Sequence, residues 1–265
     1  MNKLILLLLF GFLNILYAKL NIIVSILPQK TFVKAIGGDK VDVHIMVQPG
    51  SSPHTYEPKP SDMKAIEKAN LYFTIGVEFE NSWINKFKNQ NNNMQIKNIS
   101  TMIDKNNDPH IWTSPANVKI ISQNICTYLS NIDKKNKIFY KNNLNKFLKH
   151  VENTDKQVRQ NLKNLPVNSK FMVFHPAWGH FASYYNLKQI SIEIDGKEPK
   201  PKTLLRILKE AKKHKVKAIF TQLEFSAKMA KIIANELNIK VIKISPLSPN
   251  WSENIINFSK ALCPS

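Results

Sequence analysis

From residue 133 to residue 165 the chain contains neither glycine nor proline, and Pro166 ends the run. Apolar side chains recur along it at Tyr140, Leu144, Phe147, Val151, Val158, Leu162 and Leu165, a helical spacing with one polar interruption at Thr154-Asp155. A helix of that length measures roughly 50 Å at about 1.5 Å per residue, longer than most helices inside one compact domain. A seam with one gap is too short to favour a coiled coil. The stretch therefore predicts a molecule of two parts joined by a helical strut.

Both flanks alternate short β-branched runs with helical patterns. Residues 21–27 (NIIVSIL), 41–47 and 71–76 (LYFTIG) read as strands before the strut. Helices are expected through Phe32 and Ile36, over 63–70 behind a Ser61-Asp62 cap, ending near 84–93, and from Ser114-Pro115 to about residue 130. After the strut, strands are expected at 170–174, 187–194, 216–221 and 240–244, with helices after His175 and at 201–214, 226–237 and 251–262. The implied fold is α/β, two lobes with mainly parallel sheets bridged by one long α-helix. The expected boundaries are 1–18 for an export signal, 19–132 for the N-terminal lobe, 133–165 for the linking helix and 166–265 for the C-terminal lobe. Ligands of such sheets bind beyond the strand carboxyl ends, which places a site in the cleft between lobes.

Composition narrows the function. A 265-residue chain with 43% hydrophobic and 22% charged residues can bury a core, and seven glycines against fourteen prolines argue against a glycine-cradled nucleotide site. The formal charge of +19 comes from lysine in all but two of its 38 basic residues, Arg159 and Arg206. Arginine is the residue that reads phosphates and base edges bidentately, so the lysine excess reads as a solvated surface and no nucleic-acid partner is expected. Residues 1–18 (MNKLILLLLFGFLNILYA) read as a cleaved export signal, with an uncleaved anchor as the alternative. No cysteine stands near the cleavage point for a lipid anchor, so the expected compartment is the periplasm. Cys126 and Cys263 allow either one disulfide or two free thiols.

Three of the seven histidines stand where a strand or extended run gives way to a loop or helix. His54 lies in the proline-stiffened loop after the second strand, His110 follows Asp108-Pro109, and His175 leaves a strand directly ahead of Pro176. Pro176 suits a first helical turn, which would set His175 at a helix N-terminus and favour its neutral form. Three neutral imidazoles suit a borderline cation such as Zn²⁺, with Mn²⁺ preferring more oxygen. His44, His150 and His214 read as structural or surface residues. Asp108 is a candidate partner that holds an imidazole tautomer.

These residues carry a resemblance. PGSSPHTYEPKPSD around His54, IGVEFENSWINKF, DPHIWTSPANV around His110, FHPAWGHFASYYNL around His175 and EPKPKTLLRILKEAKKHKVKAIF occur in an order that resembles the zinc-uptake (ZnuA-like) receptors of ABC importers, within the TroA-like group. The resemblance implies two α/β lobes bridged by one long helix. It also implies a metal site made by His54, His110 and His175, and delivery to an ABC permease at the inner membrane. Several positions depart from it. Ser245 stands where the family often has a metal-binding aspartate, and Gln222 where a glutamate is common, with Glu224 two places later. His180 replaces an aromatic and is expected to pack rather than bind, and the His- and acid-rich loop of many zinc receptors is absent. The expected function is a monomeric, non-enzymatic periplasmic zinc receptor. A manganese receptor is the alternative within the family, and a zinc hydrolase or a polyanion-binding adhesin are the alternatives from other classes.

Overall fold

Short apolar runs form the middle of two separate four-stranded sheets. The computed structural model describes residues 19–193, 197, 199–222, 224 and 228–263, so the export signal expected at 1–18 lies outside the described residues. The N-terminal sheet takes β1 (Leu20–Val24), β2 (Val41–Ile45), β3 (Leu71–Thr74) and β4 (Gln95–Asn98) in the order β2-β1-β3-β4, with all pairs parallel. The C-terminal sheet takes β5 (Lys170–Val173), β6 (Lys188–Ser191), β7 (Ala218–Thr221) and β8 (Lys240–Lys243) in the order β6-β5-β7-β8, again parallel. Central β1, β3 and β7 bury runs of consecutive residues, as strands covered on both faces must. The helices are α1 (Leu27–Gly37), α2 (Pro60–Glu67), α3 (Glu78–Gln90), α4 (Pro115–Ile132), α5 (Lys137–Leu162), α6 (Gly179–Tyr184), α7 (Pro201–Lys213), α8 (Lys228–Leu237) and α9 (Trp251–Leu262).

Local hydrogen bonds explain where elements differ from expectation. Strand β4 was not foreseen, because its Gln-Ile-Lys-Asn sequence is that of a polar edge strand. Asn91, read as surface loop, donates its amide to the carbonyls of Ile66, Glu67 and Ala69 and so closes the end of α2. Helix α2 starts at Pro60 rather than Met63, because Asp62 accepts the Lys59 amide from inside the first turn at 2.7 Å. The linking helix is 26 residues long, about 39 Å, and shorter at both ends than the glycine-free run. At its start the Asp133 carboxylate accepts from Asn136 and Tyr140, both at 2.6 Å, and holds residues 134–136 in a separate 3₁₀ turn.

The polar interruption in α5 is a grip on the C-terminal lobe. Thr154 is buried, and its hydroxyl pairs with Ser252 of α9 at 2.6 Å. Asp155 accepts from Tyr185 at 2.8 Å and Tyr184 at 3.2 Å, at the end of α6. The apolar face of α5 (Tyr140, Phe147, Val151, Val158, Leu162) packs on α1, α4 and α9.

One buried cluster accordingly runs through both lobes, from Phe32 and Ile36 to Trp178 and Phe258. At its centre Trp112 donates its indole N–H to the Pro246 carbonyl at 2.8 Å, and Trp251 donates to the Trp112 carbonyl at 2.7 Å. Both thiols are free: Cys126 is buried in α4, Cys263 half-buried after α9, and burial pushes both upward in pKa. Trp251→Ala should cost about 3–5 kcal/mol of stability, from the lost indole and the cavity it leaves. Urea unfolding of the variant checks this.

Candidate metal centre

The three histidines arrive from different strand exits. His54 sits in the loop between β2 and α2, whose far side is tied down at Asp62. That carboxylate accepts from Tyr56 at 2.5 Å and the Lys59 amide on one oxygen, and faces His44 Nε2 at 2.8 Å on the other. Burial and Asp62 push the Tyr56 phenol upward, so it stays protonated and donates. His110 follows β4 and enters a 3₁₀ turn (Ile111–Thr113) ahead of α4, its backbone N–H donating to Asp108 at 2.9 Å. His175 leaves β5. The register pairs Val173 with Ser191, so two residues further on His175 and Glu193 stand abreast.

The rings converge. His175 Nε2 lies 3.1 Å from His54 Nε2 and 3.4 Å from His110 Nε2. All three donor atoms fall within 4.8 Å of one another, and among the described residues no other His, Cys, Asp or Glu group does so. Every opposite nitrogen is committed to a carboxylate. His54 Nδ1 is 2.8 Å from Glu78, His110 Nδ1 2.7 Å from Asp108, and His175 Nδ1 2.9 Å from Glu193. A carboxylate only accepts, so each Nδ1 carries the proton and each Nε2 turns a lone pair toward the common point. Neutral nitrogens aimed at each other repel, whereas a cation between them satisfies all three. Two donors tetrahedrally placed on zinc would lie about 3.3 Å apart, close to the two separations from His175.

Burial sets the charge states. It is the main cause that pushes His175 down to about 3, with His110 and His54 adding to it. Neutrality of His175 therefore does not come from a helix N-terminus: α6 begins only at Gly179, and residues 175–178 form a loop. Burial likewise pushes Glu193 upward. At Asp108 burial acts upward too, but the hydrogen bonds from His110 prevail and hold the carboxyl below its usual range.

Asp108 is legible in the sequence two residues before His110; Glu78 and Glu193 are not, because their imidazole partners lie 24 and 18 residues away in the chain. His180 lies off the cluster, as expected, but does more than pack. Its Nε2–H donates to the Asp108 carbonyl at 2.9 Å, and Asn117 lies 3.3 Å from its Nδ1. Beside it Gly179 leaves room for Asp108, since a Cβ there would stand 2.4 Å from Asp108 Oδ2. His44, His150 and His214 lie outside the cluster.

Together the histidines line a cavity of about 20 Å³, room for a species the size of one water molecule. Ser52, Pro53, Glu78, Trp112, Gln222 and Glu224 contribute to its wall. A bare cation fits such a space.

A profile of the zinc-uptake complex component A family (periplasmic) matches residues 22–261. The chain belongs to that family. Its members are metal-binding substrate receptors of ABC transporters. The chain is 30% identical over 245 residues to a metal ABC transporter substrate-binding lipoprotein of Lactococcus lactis subsp. lactis, covering 84% of this chain and 77% of that one. It is 28% identical over 247 residues to the manganese ABC transporter substrate-binding lipoprotein PsaA of Streptococcus pneumoniae, covering 84% and 78%. A crystal structure of ZnuA superposes with a TM-score of 0.88 at 38% identity, covering 92% of this chain and 98% of that one. The two-lobe architecture is thus that of a ZnuA-like receptor.

A histidine kept neutral by burial makes stability depend on pH. In the unfolded chain His175 takes up a proton below about pH 6.5, whereas in the fold it does so only near pH 3. The unfolded state then binds more protons, so metal-free protein should lose stability steadily as pH falls from about 6.5 toward 3. Denaturant unfolding at a series of pH values should show this slope, flattened in His175→Gln.

Proposed function

We propose that the protein is a periplasmic zinc receptor. His54, His110 and His175 bind the ion as cargo, and the loaded receptor passes it to an ABC permease of the inner membrane. The observation that carries this reading is the convergence of three Nε2 atoms, each oriented by a carboxylate on its Nδ1. Three imidazoles favour zinc over manganese, which takes more oxygen. The family description and the ZnuA structure support zinc, while the manganese receptors among its relatives keep manganese as the rival cargo.

Capture rather than catalysis fits the surrounding acids. Glu78, Asp108 and Glu193 are occupied as acceptors for the imidazoles, which leaves none of the three placed as a general base. Among the described residues no helix is long and apolar enough to cross a membrane. We read residues 1–18 as an export signal and the mature chain as a soluble monomer of the periplasm.

His54→Ala, His110→Ala and His175→Ala should each weaken zinc binding by about 100-fold or more, measured by competition with a chromophoric chelator. Undiminished affinity in all three would overturn the assignment. Asp108→Ala should cost about 10–100-fold by freeing the His110 ring. Competitive titration should show zinc displacing manganese from the native protein; the reverse order would make manganese the cargo.

A further inference from the structure

We propose that Glu224 supplies a fourth, oxygen donor to the same cation, a step that rests on reading the histidine trio as the cargo site. Zinc held by protein takes four donors in a tetrahedron, and three imidazoles leave one position open. Besides His175, the C-terminal lobe adds Gln222 and Glu224 after β7, and Pro246 and Leu247 after β8, to the wall. Its oxygens are unequally engaged. Glu78 also lines the cavity but already accepts from His54 Nδ1, while Asp108 and Glu193 stand behind their own imidazoles. Among the described residues Glu224 is therefore the one carboxylate of the wall not committed to an imidazole of the cluster.

Two further observations place an oxygen donor on this side. Ser245 Oγ accepts the Leu247 backbone N–H at 3.1 Å, which orients the hydroxyl. The hydroxyl lies 3.0 and 3.3 Å from the two Glu224 oxygens and donates to that carboxylate, leaving its other lone pairs open to a ligand. Two residues earlier, the Gln222 side-chain carbonyl Oε1 is buried without a hydrogen-bond partner. An orphaned oxygen in the wall marks a place where positive charge is welcome.

The Glu224 carboxylate is outside the group of donor atoms that lie within 4.8 Å of one another. Coordination thus requires its side chain to turn inward and exchange the Ser245 hydroxyl for the cation. The shell then becomes three nitrogens and one anionic oxygen, with the oxygen contributed by the C-terminal lobe. A hard carboxylate in place of a fourth nitrogen broadens acceptance toward manganese.

The test uses the mature protein with Zn²⁺ and Co²⁺ as probes. Glu224→Gln keeps an acceptor for Ser245 but removes the charge. It should weaken zinc by about tenfold or more and alter the visible ligand-field spectrum of bound Co²⁺. Ser245→Ala should leave that spectrum intact, because the carboxylate is still present. Wild-type affinity and spectrum in Glu224→Gln, with both lost in His54→Ala, would overturn the proposal and leave the histidine site standing. A Ser245→Ala variant that matches the Glu224→Gln loss, with the Co²⁺ spectrum unchanged in both, would reduce Glu224 to a structural contact and also overturn it. Wild-type zinc binding in His54→Ala would remove the trio as the cargo site and this inference with it.

Discussion

A neutral imidazole carries one proton that can reside on either nitrogen, and which nitrogen holds it decides whether the ring can receive a cation. Here three carboxylates make that choice. Glu78, Asp108 and Glu193 each accept from an Nδ1, so the three Nε2 lone pairs point inward together. The same acids place negative charge around the position where a dication would lose its water. Without them the rings could turn or exchange tautomers, and the geometric coincidence of three nitrogens would have no chemical meaning.

That arrangement spans two lobes and needs them held together. The apolar cluster, the paired Trp112 and Trp251 hydrogen bonds and the length of α5 supply this. Asp108 adds to the grip. The N-terminal lobe lends its side chain to His110 and its carbonyl to His180 of the C-terminal lobe, and Gly179 admits it by having no Cβ. One residue therefore both orients an imidazole and contributes to the docking of the lobes.

Much of this was legible in the sequence for identifiable reasons. Central strands announce themselves because burial on both faces demands continuous apolar runs, and the linking helix because its periodicity is unbroken by glycine or proline. Edge strand β4 was silent, since half-exposed polar residues resemble a loop. The start of α5 is set by hydrogen bonds that Asp133 accepts rather than by periodicity. The histidine trio could be picked out by its places at strand exits. Glu78 and Glu193 could not, because their roles depend on how the strands are ordered in each sheet, and strand order is not written in local pattern. His175 is neutral because it is buried, not because a helix dipole acts on it, and that burial is a tertiary property.

Both sheets share one strand order, so each exit in one lobe has a counterpart in the other. Beyond β1 the chain delivers Ser25, which donates to the buried Glu80 that also gathers the Ile75 and Gly76 amides. Beyond the equivalent β5 it delivers His175, which faces the cavity. Matching strand exits thus serve as internal fastening in the first half and, one residue further along, as working surface in the second. The molecule is symmetric in its framework and asymmetric in its chemistry.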